Sequence, residues 1–248
     1  MKKNTAQSGK GFKENAKTVI YAILIALFIR SFFFEPFSIP SGSMIPTLLV
    51  GDYLFVSKYT YGYSRYSLPM GVPLFEGRVW YDAPERGDVL VFKLPTDNET
   101  DYIKRVIGLP GDTVQVRNGR LYINGNIVPR AKKGEFVLRL PDGSAQRFTE
   151  YTETLPGGYK HPILEISDKE RYDDTEIFVV PEDYFFMMGD NRDNSVDSRS
   201  ISVGMVPKEN LVGKARKIFY SNDGSSSWWE IWKWPASVRW GRLFGSIS

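Results

Sequence analysis

An unbroken apolar run near the start of the chain, residues 19–29, constrains everything after it. Arg30 and Ser31 interrupt it, Phe32-Phe33-Phe34 resume it, and Glu35-Pro36 close it. A helix crosses the roughly 30 Å hydrocarbon layer in about twenty residues. Residues 18–37 supply that length provided Arg30 sends its charge outward along its flexible stem. A cleaved secretory signal has an apolar core of similar length, but it ends in a small-x-small cleavage site. Here Phe-Phe-Phe-Glu-Pro follows instead, so an uncleaved anchor is expected. Lys2, Lys3, Lys10, Lys13 and Lys17 precede the run against a single Glu14. Positive charge stays on the cytoplasmic side, which puts residues 1–17 inside and the chain past 37 outside.

Past Pro40 the pattern changes to short β-branched and aromatic runs bounded by Gly, Pro and Asp. Three such runs are Tyr53-Leu54-Phe55-Val56-Ser57, Asp88-Val89-Leu90-Val91-Phe92-Lys93 and Tyr102-Ile103-Lys104-Arg105-Val106-Ile107. Residues 113–117 alternate apolar and polar, meet Asn118-Gly119, and return as residues 120–123. Asn-Gly favours the type I′ turn of a tight hairpin, and Asn124-Gly125 follows at once, which predicts a β-meander. No amphipathic pattern of helical length stands outside the apolar run.

The expected fold class is therefore mainly β. An antiparallel β-sheet core spans residues 38–128 and 176–222, with an inserted β-rich second domain and one N-terminal transmembrane helix. The insertion, residues 129–175, is poor in apolar residues and rich in Lys, Glu, Asp, Gly and Thr. Pro141-Asp142-Gly143 and Leu155-Pro156-Gly157-Gly158 mark turns in it, and it is expected to be loop-rich. Residues 223–248 hold five of the six tryptophans, Trp228, Trp229, Trp232, Trp234 and Trp240, among Lys233, Arg239 and Arg242. A ring half apolar and half wet suits a membrane interface. Packing on the β core is the other use for such a tail, and the interface is favoured.

Composition narrows the chemistry. The 248 residues are 42% hydrophobic, ample for a packed core. A net charge of +3 is too small and too dispersed to argue for nucleic acid. With no cysteine there are no disulfides, thiolate metal sites or cysteine nucleophiles. With one histidine, His161, a site of several histidines is impossible. His161 sits between Gly157-Gly158-Tyr159-Lys160 and Pro162 and is expected on a surface loop.

A serine nucleophile needs a base beside it. Where histidine is nearly absent, a lysine can serve if it is neutral. Its pKa of about 10.4 must then fall to near 7.5, at about 4 kcal/mol, and burial among apolar groups is the usual means. Lys104 fits, with Tyr102 and Val106 on its own face of a strand and Ile103 and Ile107 on the other. Ser43 stands in Ile39-Pro40-Ser41-Gly42-Ser43-Met44-Ile45-Pro46, where two prolines and a glycine fix the backbone. The Ser41 hydroxyl and the Ser43 backbone N–H could face a developing oxyanion. Residues 189–199 carry Asp190, Asn191, Asp193, Asn194 and Asp197. Alternating oxygens suit Ca²⁺, which keeps a tethered calcium-binding β module as a rival reading. The EF-hand glycine and terminal glutamate are missing, however, and Arg192 and Arg199 would repel a cation. A loop whose aspartates pair with its own arginines, and whose Ser195 hydroxyl steadies the lysine, fits better.

Together these segments resemble the bacterial type I signal peptidases, membrane-bound Ser-Lys proteases. The resemblance rests on Ser-Gly-Ser-Met-x-Pro-Thr-Leu at 41–48, Gly-Asp-Tyr at 51–53 and Arg-Gly-Asp-Val at 86–89. It continues in Asp-Tyr-Ile-Lys-Arg-Val-Ile-Gly-Leu-Pro-Gly-Asp at 101–112 and Gly-Asp-Asn-Arg-Asp-Asn-Ser-x-Asp-Ser-Arg at 189–199. It implies a serine endopeptidase in which Ser43 attacks the scissile carbonyl, Lys104 is the general base, and Ser41 and Ser43 form the oxyanion hole. Ser195 would orient Lys104, and Asp197 and Arg199 would support the site. Shallow pockets for small residues at −3 and −1 would be lined by Phe37, Ile39, Met44, Leu48, Leu54, Val91, Tyr102 and Ile103. The resemblance implies no cofactor, no metal and no obligate subunit. The partners it implies are secretory preproteins and membrane lipid, and the place is the bacterial inner membrane with the catalytic body on its outer face. Residues 129–175 and the tryptophan-rich tail carry no motif of the family. Ser43 lies six residues past Phe37, so extended chain keeps it within about 20 Å of the membrane face.

Overall fold

The computed structural model describes residues 5–67, 71, 76–139, 144–226 and 229–247, without the side chains of 5–13. The Pro141-Asp142-Gly143 turn and Trp228 lie outside the described residues. Helix α1 (Thr5–Phe32) contains one candidate membrane span, Glu14–Phe32, with a mean hydropathy of 1.5 and side chains that face outward. It both begins and ends earlier than the expected 18–37. The chain leaves it one residue before strand β1 (Phe34–Ser38), which pairs antiparallel with β2 (Asp52–Ser57). Pro36 has no N–H to continue a helix, and Glu35 is taken by two cations, Arg30 and the buried Lys58. Arg30 thus finds a counter-ion where an outward-stretched side chain was expected.

The chain then runs through β3 (Tyr63–Ser64), β4 (Arg78–Val79), β5 (Val89–Lys93) and β6 (Asp101–Gly108). A meander follows in β7 (Thr113–Arg117), β8 (Arg120–Ile123) and β9 (Asn126–Ile127). Asn118 and Gly119 both have positive φ, as do Asn124 and Gly125, which is the geometry the two Asn-Gly pairs demand. Next come β10 (Arg130–Arg139), β11 (Ala145–Thr154) and β12 (Lys160–Glu165). The core resumes with β13 (Phe178–Val179), β14 (Tyr184–Met188), β15 (Val206–Pro207) and the long β16 (Leu211–Ser221), before a single turn of helix, α2 (Trp234–Ser237).

A seven-stranded sheet of order β1-β2-β16-β5-β6-β14-β15 is the scaffold. Its β5 is buried on both faces. Val89 and Val91 join a cluster with Met44, Leu48, Leu54 and Val56, whereas Leu90 and Phe92 join Val106, Phe185 and Met187. That double burial explains why residues 88–93 read as a near-continuous apolar run.

Residues 129–175 are not loop-rich as expected. Strands β10 and β11 are ten residues each and, with β12, form a regular three-stranded sheet. It needs few apolar residues because only one face is covered. Phe136, Leu138, Phe148 and Leu164 pack on Ile45 and Leu49, directly behind Ser43's loop. The tail is tied to the scaffold while its rings stay outside. Phe244 N–H donates to Ile218, Arg242 pairs with buried Asp52, and Asn222 bridges Val238. Trp229, Trp232 and Trp240 remain mostly exposed.

Candidate active site

Ser43 sits in a tight turn between β1 and β2. Ile45 N–H donates to Gly42 O and Leu48 N–H to Met44 O, so the prolines on either side bracket a coiled loop. Asn191 clamps it from the far side of the sheet, with its N–H on Ser43 O at 3.1 Å and its Nδ2 on Gly42 O at 3.0 Å. The Ser41 and Ser43 hydroxyl oxygens are 3.5 Å apart.

Lys104 lies in β6 opposite Leu90 of β5, and only 3% of it is exposed. Its Nζ stands 2.7 Å from Ser43 Oγ and 3.0 Å from Ile103 O, over the Tyr102 ring at 5.2 Å. Among the described residues it forms no salt bridge. Burial pushes its pKa down to about 8, with Asp197 and Asp190 drawing it upward and Arg199 downward. A buried amine without a counter-ion and within hydrogen-bond reach of a hydroxyl can exchange a proton with it near neutral pH.

The loop after β14 frames this pair. Gly189 passes so close that a Cβ there would strike both Ser195 Oγ and the Ser43 carbonyl, so only glycine fits. Its N–H is held by Asp197 at 3.0 Å, and Asp197 takes two hydrogen bonds from the Arg199 guanidinium and a third from the Arg199 N–H. Burial alone would raise the Asp197 pKa, but Arg199 holds it below the usual range. Ser195 is buried against Gly189 and beside Asp197, and its Oγ makes no hydrogen bond to Lys104. The expected steadying contact from Ser195 is therefore not formed. Lys104 is steadied by Ile103 O instead.

The expectation that the loop's aspartates pair with its own arginines holds only for Asp197 and Arg199. Asp190 accepts Arg105 Nε and Nη2, both at 2.8 Å, and the Thr47 hydroxyl. Asp193 accepts the Ile166 N–H from the strand sheet beside it. Arg192 makes two hydrogen bonds to Glu153 of β11. The three aspartates serve three separate partners and do not converge as a calcium loop requires.

His161 is not on a surface loop. It lies in β12, 2% exposed, beside Glu153 at 3.4 Å and Asp190 at 3.9 Å. Glycines and a proline flank it, but the pairing of β12 with β11 carries it inward. Burial pushes its pKa down to about 4, so it is neutral at physiological pH, and its close polar neighbours are carboxylates behind the nucleophile's loop.

A cleft of about 640 Å³ leads to the pair. Phe37, Ile39, Val91, Tyr102 and Ile103 line it with Ser41, Ser43 and Lys104, and Asn194 and Val196 form part of the wall. Met44, Leu48 and Leu54, expected among the lining, are wholly buried beneath it in the cluster that supports Ile39 and Val91. The resemblance gave these three as lining, but Met44 and Leu48 turn inward from the loop and Leu54 from β2. Asn191, Asp190, Arg192 and Glu153 were not singled out as positioning groups. The first three lie in the 189–199 motif, whereas Glu153, in a Thr-Glu-Thr stretch, gives no signal at all.

Comparison with known proteins places the chain in a family. Residues 12–220 match the profile of the family described as signal peptidase, peptidase S26. The signal peptidase I of Rickettsia typhi is 40% identical over 266 residues, covering 100% of this chain and 98% of its own length. That of Rickettsia prowazekii is 39% identical with the same coverage. A solved signal peptidase I from Enterococcus faecalis is 27% identical, covering 54% of this chain and 97% of that chain, with a TM-score of 0.31.

Proposed function

Since the chain belongs to the signal peptidase family, peptidase S26, we propose that Ser43 and Lys104 form the dyad with which this serine endopeptidase removes signal peptides from preproteins. The observation that carries the reading is the buried, unpaired Lys104 amine 2.7 Å from Ser43 Oγ. Neutral Lys104 takes the Ser43 proton as Oγ attacks the scissile carbonyl carbon, and the C=O electron pair moves onto oxygen. The Ser41 hydroxyl and the Ser43 N–H stabilise that oxyanion. Lys104 then returns its proton to the departing amine. The C–N bond breaks and leaves an acyl-enzyme on Ser43. A water, deprotonated by Lys104, attacks the ester carbon; the tetrahedral intermediate collapses, the C–Oγ bond breaks, Lys104 returns the proton to Ser43 Oγ, and the signal peptide is released. Asp197 and Arg199 act at one remove by holding Gly189 against the nucleophile's turn.

Phe37, Ile39, Val91, Tyr102 and Ile103 give the cleft an apolar lining beside Ser43 and Lys104, which supports a preference for small apolar residues at −3 and −1. The basic N-terminal flank supports a single pass through the bacterial inner membrane, with the N-terminus in the cytoplasm and the catalytic body outside. Residues 223–248 rest on lipid through their exposed tryptophans. Cleavage of a purified preprotein in detergent tests the dyad. Ser43→Ala and Lys104→Ala should abolish it in a folded protein, and normal processing by either variant refutes the assignment.

A further inference from the structure

The cleft and a second cavity meet on either side of the nucleophile's turn. The cleft runs from Arg30 and Glu35, at the outer end of α1, to Ser43. The second cavity, about 780 Å³, opens beyond Gly42. Leu49, Tyr53, Leu138, Tyr220 and Trp234 line it with Gly42. One wall is the end of the β10–β11 hairpin and the other is the tail that follows β16. Both walls come from the two parts of the chain that carry no motif of the family.

The membrane gives a substrate in the cleft its direction. Residues before the cut continue from an apolar segment in lipid, so they arrive at the Arg30 end. Residues after the cut leave across Gly42. We infer that the second cavity is a subsite for the first residues of the mature protein and takes an apolar or aromatic side chain there. This rests on the Ser43–Lys104 reading. Gly42, next to Ser43, lines the cavity, and extended backbone advances roughly 3.3–3.6 Å per residue, so a side chain among the first few residues past the cut reaches it. Arg139 and Arg239 outnumber Asp223 among the charged groups at its edge, which disfavours a lysine in the same stretch.

The test is a set of preproteins identical except at the second to fourth residues after the cut, carrying phenylalanine, alanine or lysine there. The full chain in detergent should cleave the best phenylalanine precursor about tenfold faster in kcat/KM than the alanine one. The lysine precursors should be slower still. Trp234→Ala and Leu138→Asp should bring the phenylalanine-to-alanine ratio close to one. Equal kcat/KM across the set, or an unchanged ratio in both variants, overturns the subsite while leaving the dyad standing. No cleavage of any precursor by the unaltered enzyme overturns both.

A second measurement does not depend on how well the variants fold. Ser43→Ala protein in vesicles of phosphatidylethanolamine and phosphatidylglycerol is given a preprotein with a photo-crosslinking phenylalanine three residues past the cut. Crosslinks to the Leu138 and Trp234 regions support the subsite, and crosslinks elsewhere overturn it. Capture of a photoreactive lipid acyl chain by the same regions, undiminished by excess preprotein, would mean that lipid fills the cavity, and overturns it as well.

Discussion

Lys104 and Arg105 are neighbours on one strand, but the surroundings of their two side chains are opposites. Successive side chains of a strand point to opposite faces. On one face Lys104 is buried without a counter-ion, and its pKa falls to about 8. On the other, Arg105 is fully buried yet answered by both oxygens of Asp190, the Gly87 carbonyl and the Tyr159 hydroxyl. Burial acts against both cations. Only the second is compensated, and there the charge is kept. The contrast separates the proposed proton-transfer group from a clamp, because the clamp's partner Asp190 precedes Asn191, which grips Ser43's turn.

Lys104→Arg is the sharpest way to break the contrast. It keeps the cation but removes any means of giving up the proton. Cleavage of a preprotein should fall by about 10⁴-fold, and near-normal turnover would show that a neutral amine is not needed. Arg105→Ala probes the other face. It leaves Asp190 buried and unpaired, which costs about 3–5 kcal/mol. Denaturant unfolding should show that loss, and an unchanged midpoint would mean the pair is idle.

Lys104→Met should have the opposite sign on stability, with a gain of about 1–3 kcal/mol at pH 7 as a desolvated ammonium is removed. The pH dependence follows from the lowered folded-state pKa. Between about pH 8 and the ordinary lysine value near 10.4, the unfolded chain holds a proton the folded one lacks. The unaltered protein therefore gains stability as pH rises through that window, and the gap to Lys104→Met should close. A gap constant with pH would count against the shift. The smallest effect is on rate. Below about pH 8, kcat/KM should climb about tenfold per pH unit and then level off. A profile flat from pH 6 to 9 would contradict a titrating lysine base.

Neither Ser43 nor Lys104 stands out in the sequence by itself; each reads as nucleophile or base only in company with the other and with residues 189–199, and the structure sets the two side chains 2.7 Å apart. Ser43 stands between prolines in a turn, and Lys104 stands in an apolar strand. The meander was plainer, since Asn-Gly at 118–119 and 124–125 dictates left-handed backbone. What stayed hidden depends on which side of the backbone a residue ends up. His161 carries loop punctuation on both flanks, yet strand pairing buries it. Glu153 reads as a solvated charge and proves to be the counter-ion of Arg192. Ser195 occupies the expected place without the expected bond. The tail's backbone joins the sheet, one of its two expected uses, and the proposed lipid contact rests on the exposed Trp229, Trp232 and Trp240.

Only Phe33 separates the end of α1 from the first strand of the scaffold, and that joint is riveted. Lys58 N–H donates to Phe33 O, and the Tyr63 hydroxyl donates to Phe32 O. The blade therefore has no swivel. Its height over the lipid is set by covalent and hydrogen-bonded geometry, much as a plane iron is set in its block. With α1 in lipid, as proposed, a substrate would be measured as well as recognised: a bond too near the bilayer or too far above it would never come level with the cutting edge, whatever its side chains.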